Sequence, residues 1–326
     1  MKVLVTGGAG YIGGHVVLGL KEKGYNVTVV DDLSKGYKTP FYGDKFIKAN
    51  IQDTKKIKNI IRDNGIEAVF HFAAFIEAGE SMKNPAKYFL NNSARTIEFL
   101  ETIINEGVKF FIFSSTAALY GMPEKIPITE EQKLQPVNPY GESKLIVENV
   151  LKWFSSIYDF RYVSLRYFNA AGADEKLRCG ERHNPESHLI PLAIQTAWKE
   201  RDALYIYGTD YNTRDGTCIR DYIHVSDLAD AHILALEYLL NNGRSDVFNL
   251  GNGKGFTVKE VVDVVKEVTG KDFPVIETNR RPGDPETLVA SSDKIKKILG
   301  WNPKRTDLKW IVKTANEYYK YWKKIK

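Results

Sequence analysis

Cysteine is scarce in this chain, with two in 326 residues, Cys179 and Cys218. No Cys-x-x-Cys pair occurs, which excludes a disulfide framework and a cysteine-built zinc site and points to a reducing, cytoplasmic setting. No run approaches the ~18 apolar residues that span a bilayer. The opening MKVLVTGGAG turns to glycine too early for a signal peptide. A strong charge of one sign is also missing. Lys and Arg number 46 against 41 Asp and Glu, a net +5, so no nucleic-acid partner is expected. The closing lysines (Lys320, Lys323, Lys324, Lys326) read as a solvated face. There is no internal repeat or low-complexity tract. His15, His71, His183, His188, His224 and His232 show no paired ligand spacing, so no metal is expected. No Gly-x-Ser-x-Gly or Cys–His arrangement suggests a covalent nucleophile.

What the chain does have is ordinary globular composition, 43% hydrophobic and 27% charged. The first half alternates short apolar runs with helical patterns. Strands are predicted at VLVT (3–6), NVTVV (26–30), FIKAN (46–50), AVFHF (68–72), KFFIFSS (109–115) and YVSLRYF (162–168). Helical segments lie near 11–23, 53–63, 85–105 and 140–158. Continuously apolar strands alternating with helices predict a parallel sheet covered on both faces, a Rossmann-type doubly wound α/β domain over residues 1–174. Beyond it Pro, Gly, Asp and Asn become frequent. Short strands (LYIYG, DVFNL, FPVIE) mix with helices near 188–200, 226–242, 257–269 and 306–323. This predicts a smaller α+β substrate domain over 175–326, with some segments interleaved with the first.

Two local patterns carry chemistry. TGGAGYIG (6–13) follows the first strand and opens a helix, placing Gly7, Gly10 and Gly13 where backbone N–H groups face a pyrophosphate. Asp31 ends the second strand, 31 − 13 = 18 residues later, where a carboxylate accepts from an adenosine ribose and repels a 2′-phosphate, so NAD is favoured over NADP. Lys35 and Lys38 are read as a solvated loop. In PYGESK (139–144), Tyr140 and Lys144 are i and i+4 on one helix face, behind Pro139 at a helix start. A neighbouring ammonium and a cationic nicotinamide would both favour the phenolate, making Tyr140 a base. Ser114, Ser115 and Thr116, just after a strand, add hydroxyls.

With these motifs in place, the chain resembles the extended short-chain dehydrogenase/reductase family over essentially its whole length, and within it the nucleotide-sugar 4-epimerases. HFAAFIEAGES (71–81), FSSTAALYG (113–121), LRYFNAAGA (165–173), DGTCIRDYIHVSDLADAH (215–232), FNLGNG (248–253) and RRPGDP (280–285) carry the likeness. The resemblance implies epimerisation at carbon 4 of a UDP-hexose through a transient 4-keto sugar and bound NAD, and a homodimer paired through the helices near 85–105 and 140–158. It implies that Tyr140, Thr116 and Lys144 are catalytic. It places Gly7, Gly10, Tyr11, Ile12, Gly13, Asp31, Asp32, Asn50, Ile51, Phe72, Ala73, Ala74, Asn91, Ser114 and Phe168 with Tyr140 and Lys144 around the cofactor. Asn169, His188, Leu189, Tyr205, Tyr207, Arg220, Arg281 and Asp284 fall with Thr116 and Tyr140 on the sugar-nucleotide side.

Three positions depart from relatives. Ile76 stands where some carry a cofactor-contacting Lys, Asn50 replaces an Asp, and Leu288 falls at a size-selecting position of the sugar pocket. Ala117 and Ala118 lack the carboxyls that 4,6-dehydratases and UDP-glucuronate decarboxylases place there, which leaves simple epimerisation. The main expectation is interconversion of UDP-galactose and UDP-glucose. UDP-N-acetylglucosamine or UDP-glucuronate stand as alternative substrates, and a non-catalytic dinucleotide sensor as a low-ranked alternative class.

Overall fold

A computed structural model describes residues 1–37, 41–281 and 283–325. Lys38, Lys326 and Pro282 of the RRPGDP motif lie outside the described residues. Seven strands form one parallel sheet: β1 (Lys2–Thr6), β2 (Asn26–Asp31), β3 (Lys45–Lys48), β4 (Ala68–His71), β5 (Phe110–Ser114), β6 (Arg161–Tyr167) and β7 (Asp246–Leu250), in the order β7-β6-β5-β4-β1-β2-β3. The order reverses beside β1, and α/β sheets bind ligands at such a switch point. The doubly wound expectation is borne out. The late segment DVFNL supplies β7, so the chain returns to the first sheet.

The continuous apolar runs are explained by two-faced burial. In β1, Val3 and Val5 pack into one core with Val16, Val17 and Leu20 of α1 (Tyr11–Glu22) and Leu228, Leu236 and Leu239 of the helix Val225–Leu240. Leu4 packs into the opposite core with Ile57 and Ile61 of α2 (Thr54–Asn64), Phe99 and Ile103 of α3 (Arg95–Asn105), and Val147 and Leu151 of α4 (Pro139–Ile157). Each such fully buried side chain contributes about 1.5–3 kcal/mol of hydrophobic free energy. A third core joins the helices Leu189–Ala197, Val258–Thr269 and Leu308–Lys323. Beside it lie the paired strands Leu204–Tyr207 and Val275–Thr278, and the strand Ile219–Arg220, which pairs with Phe256–Thr257 and Thr287–Leu288.

Helix ends follow their residues. Asp53 accepts the Lys56 N–H at 3.1 Å, and Gly65 closes α2 at φ +60°. Asn138 accepts the Gly141 N–H at 2.8 Å, with Pro139 at the first helical position of α4. The predicted continuous helix over 85–105 is corrected. It is a short α turn, Pro85–Tyr88, a π-helical stretch, Phe89–Ala94, and then α3. No helix among the described residues is long and apolar enough to cross a membrane.

Candidate functional site

The C-terminal ends of β1, β2, β4, β5 and β6 open into one cleft of about 330 Å³. Its floor is the turn between β1 and α1. Gly7 has φ +72°, and a Cβ there would lie 2.7 Å from the Ala73 nitrogen; one on Gly13 would lie 2.3 Å from the Gly7 oxygen. Only glycine lets the turn, α1 and the segment that follows β4 come this close. Gly10 caps α1 with no side chain, so the first N–H groups and the positive end of the helix face the cleft beside Tyr11 and Ile12. This cradle fits a pyrophosphate.

Asp31 at the end of β2 accepts the Ala9 N–H at 3.0 Å and the Leu33 N–H at 2.8 Å. Burial raises its pKa, against the pull of those two amides. Asp32 accepts the Ser34 N–H at 2.9 Å and one Asn50 amide hydrogen at 2.9 Å. Asn50 therefore supplies a donor where an Asp would add a second negative charge beside Asp32. Ile51, Phe72, Ala73 and Ala74 continue the wall, and the π-helical stretch brings Asn91 to it. Lys35 crosses the cleft mouth to Glu77 at 3.0 Å, so the loop read as solvated is pinned; Ile76 is partly exposed beside it.

The chemical end lies between β5, β6 and α4. Ser114, Thr116, Tyr140, Lys144, Phe168 and Asn169 all line the cleft. Thr116 accepts the Ala118 N–H at 3.1 Å and lines the cleft with Tyr140, whose ionised form it favours. Lys144 donates to the Ser114 carbonyl at 2.8 Å, and Ser114 Oγ meets the Tyr167 hydroxyl. The expected depression of the Tyr140 pKa is not found in the protein alone. Burial raises it, the Thr116 hydroxyl works against this, and the Glu77 charge adds to it. Burial also pushes Lys144 down to about 7, opposed by Glu148. Low dielectric penalises phenolate and ammonium alike.

Behind α4 the reading of single motifs missed a buried network. Glu148, one turn after Lys144, pairs with Arg166 of β6 at 2.6 Å and accepts from Ser115 at 2.5 Å. Arg166 donates to the Tyr120 hydroxyl at 2.9 Å, and Tyr120 donates to Asn249 of β7 at 2.8 Å.

The sugar-nucleotide residues divide. His188 and Asn169 line the cleft, whereas Leu189, Tyr205, Tyr207, Arg220, Arg281 and Asp284 do not. Leu189 begins the helix Leu189–Ala197 and packs against the third core. Tyr205 and Tyr207 point outward from their strand, and the Arg281 guanidinium covers Tyr207 at 3.8 Å. Arg220 pairs with Asp284 rather than with Asp221. Asp221 instead accepts the N–H groups of Asn252, Gly253 and Ala290. The histidine reading also needs correction: His183 and His188 are brought together with Glu181 and Glu186. His188 sits between both carboxylates, whose charges raise its pKa well above the ordinary imidazole value, while the two imidazoles hold Glu181 well below the usual carboxylate range. Cys179 and Cys218 are free thiols, and burial pushes Cys179 up to about 12, which makes it unreactive.

The sequence pattern of the NAD dependent epimerase/dehydratase family matches residues 3–251. The chain belongs to this family. Among its relatives, a UDP-glucose 4-epimerase of Halalkalibacterium halodurans is 50% identical over 98% of this chain and 96% of its own length. The structure of a UDP-glucose 4-epimerase from Brucella ovis in complex with NAD superposes with a TM-score of 0.95 at 43% identity, covering 98% of each chain. A UDP-Glc/GlcNAc 4-epimerase from Campylobacter jejuni gives 0.85 at 44% identity, over 98% of this chain and 99% of that one. The switch-point cleft, the glycine cradle and the Tyr140–Lys144 helix thus lie in a family whose chemistry is NAD dependent.

Proposed function

We propose that this epimerase/dehydratase-family chain interconverts UDP-galactose and UDP-glucose by inverting carbon 4. The observation that carries the reading is the placement of Tyr140, with Thr116 and Lys144, in the same cleft as the glycine cradle. Gly7, Gly10 and Gly13 with the start of α1 would hold the pyrophosphate of NAD, and Asp31 its adenosine ribose, where a 2′-phosphate would meet a carboxylate. Bound NAD supplies a hydride acceptor and donor, and its cationic ring favours the tyrosinate. Tyr140 accepts the proton of the sugar 4-hydroxyl and returns it to the 4-oxygen after the 4-keto sugar has turned over. Thr116 hydrogen-bonds that oxygen and steadies the tyrosine. Lys144, anchored on the Ser114 carbonyl, binds the nicotinamide ribose and supplies positive charge beside Tyr140. Ala117 and Ala118 next to Thr116 offer no carboxyl to eliminate water or assist decarboxylation, which leaves epimerisation alone.

On the sugar-nucleotide side we assign Tyr207 to the uracil, Asp284 to the uridine ribose, and Arg220 and Arg281 to the diphosphate, whose geometry suits guanidinium. These four already form two pairs, Arg220–Asp284 and Arg281–Tyr207. Substrate exchanges those contacts for its own. Tyr205, Asn169, His188 and Leu189 complete this end. The cofactor end is assigned to residues 1–174 together with the returning segment 225–250, and the sugar-nucleotide end to the rest of 175–326. The same reading places the protein in the cytoplasm as a homodimer through the helices near 85–105 and 140–158, around which Leu90, Trp153 and Ile157 are exposed. A monomeric mass at micromolar concentration would overturn the dimer.

UDP-N-acetylglucosamine is the second reading, favoured by the dual-substrate name of the Campylobacter relative. The experiment is product analysis with UDP-galactose, UDP-N-acetylgalactosamine and UDP-galacturonate side by side, with deuterium at carbon 4. Conversion of UDP-galactose with the label kept on carbon 4 supports the assignment. Label lost to solvent, or no conversion of any of the three, overturns it.

A further inference from the structure

Residues 181–188 form a loop on the wall of the cleft, ahead of the helix Leu189–Ala197. Four of the eight carry metal-ligating atoms, in the pattern Glu-x-His-x-x-Glu-x-His. One donor atom from each of Glu181, His183, Glu186 and His188 lies within 4.8 Å of the others. Nδ1 of His183 and Nδ1 of His188 stand 2.9 and 2.8 Å from the same Glu181 oxygen. From Glu186 Oε1 they stand 3.9 and 3.1 Å. The two carboxylate side chains are nearly fully buried, 8% and 4% exposed, so they do not simply trail into solvent.

A tetrahedral zinc with nitrogen and oxygen ligands at about 2.0–2.2 Å has ligand–ligand edges of about 3.4 Å. The four measured separations bracket that value. An ion placed among the donors would spread the two shortest by roughly half an ångström and draw in the longest. Two imidazoles among the ligands disfavour Mg²⁺ and Ca²⁺, which prefer all-oxygen shells, and favour a borderline transition ion. Three of the four residues, Glu181, His183 and Glu186, have no part in the proton chemistry proposed above. We infer that Glu181, His183, Glu186 and His188 form a binding site for a divalent transition metal of the Zn²⁺ class. Occupation ties up Nδ1 of His188, and where His188 serves the sugar nucleotide, the metal inhibits by competing with substrate. That last consequence rests on the proposed function; metal binding itself does not.

The test uses the NAD-loaded protein stripped of metal with a chelator and titrated with Co²⁺, then Zn²⁺. The expected result is about one tightly held Co²⁺ per chain, with the visible absorption of a tetrahedral site, displaced by Zn²⁺. Glu186→Gln combined with His183→Ala weakens binding by about 100-fold or more, since even loss of an outer-shell partner costs 10–100-fold. Its near-UV circular dichroism stays unchanged, so the loss is read at constant fold. Equal Co²⁺ binding by parent and double variant, or only the pale spectrum of six-coordinate aqueous cobalt, overturns the site. A chain that binds Co²⁺ as described yet turns over none of the UDP-sugars keeps the metal site and refutes the proposed function, so the two failures are distinguishable.

Discussion

Burial works against both charged forms that the Tyr140–Lys144 pair is asked to use. Tyr140 is pushed above the ordinary phenol value and Lys144 down to about 7. A base that is hard to ionise in the free protein gains its phenolate only when positive charge is brought beside it, which ties proton abstraction to cofactor loading. Tyr140→Phe keeps the ring and its edge contact with Tyr88 at 6.4 Å but removes the hydroxyl. Turnover is expected to fall by about 10²–10⁴-fold with NAD content unchanged, read by steady-state assay and by nucleotide released on denaturation. Near-normal turnover would remove Tyr140 from the base role. Fixed spacing is what made these residues legible: a tyrosine and a lysine four apart behind an Asn-Pro cap need nothing beyond one helix to meet. The Glu181 cluster was not legible, because its spacing belongs to a loop and matches no helix or strand period. The pairing of Arg220 with Asp284 joins residues 64 apart, which only the tertiary fold brings together.

At the scale of elements, the contact between the glycine turn and α1 leaves no room for a methyl group. Gly13→Ala would set a Cβ 2.3 Å from the Gly7 oxygen, and backbone is the neighbour that must yield. We expect α1 to be displaced, a loss of about 1–3 kcal/mol in urea unfolding, and protein purified with little NAD. Full NAD content in that variant would mean the cradle does not set the pyrophosphate site. The Glu148–Arg166 pair joins α4 to β6 and, through Tyr120 and Asn249, to β7. Glu148→Ala leaves a buried guanidinium uncompensated and is expected to cost about 3–5 kcal/mol. A double Glu148→Met, Arg166→Met variant recovers much of it; equal losses in single and double variants would deny the pair its role. The strands were readable because both-face burial writes them as unbroken apolar runs. The π-helical stretch was not, since widening a helix by one residue per turn leaves an apolar periodicity much like that of an α-helix.

Across the whole molecule, four histidines are buried and neutral. His71 hydrogen-bonds Thr6 at 2.8 Å, His224 meets Thr314 at 3.1 Å, and His15 and His232 each reach the main-chain carbonyl four residues back at 2.8 Å. Burial lowers His15 and His232 to about 4 and His71 and His224 to about 3. The unfolded chain binds protons at these sites below its ordinary value of about 6.5 while the folded chain does not. Their folded pKa values are depressed, so stability is fully present above pH ~6.5 and is lost as pH falls toward 4. At pH 5 each costs about 2 kcal/mol, and four together rival the 5–15 kcal/mol by which a typical domain is stable. His188 opposes them, because its raised pKa adds stability at low pH that is lost as pH rises through its folded value. Below pH ~6.5 that contribution is already complete and no longer changes, so the urea midpoint should drop steeply between pH 6.5 and 5. His232 packs between Phe72 and Tyr167, 4.9 and 6.0 Å between ring centroids, and its Nε2 has no partner. His232→Phe therefore keeps the packing, removes one proton site and should make the acid loss measurably shallower. An unchanged slope in that variant would show that the acid sensitivity arises elsewhere.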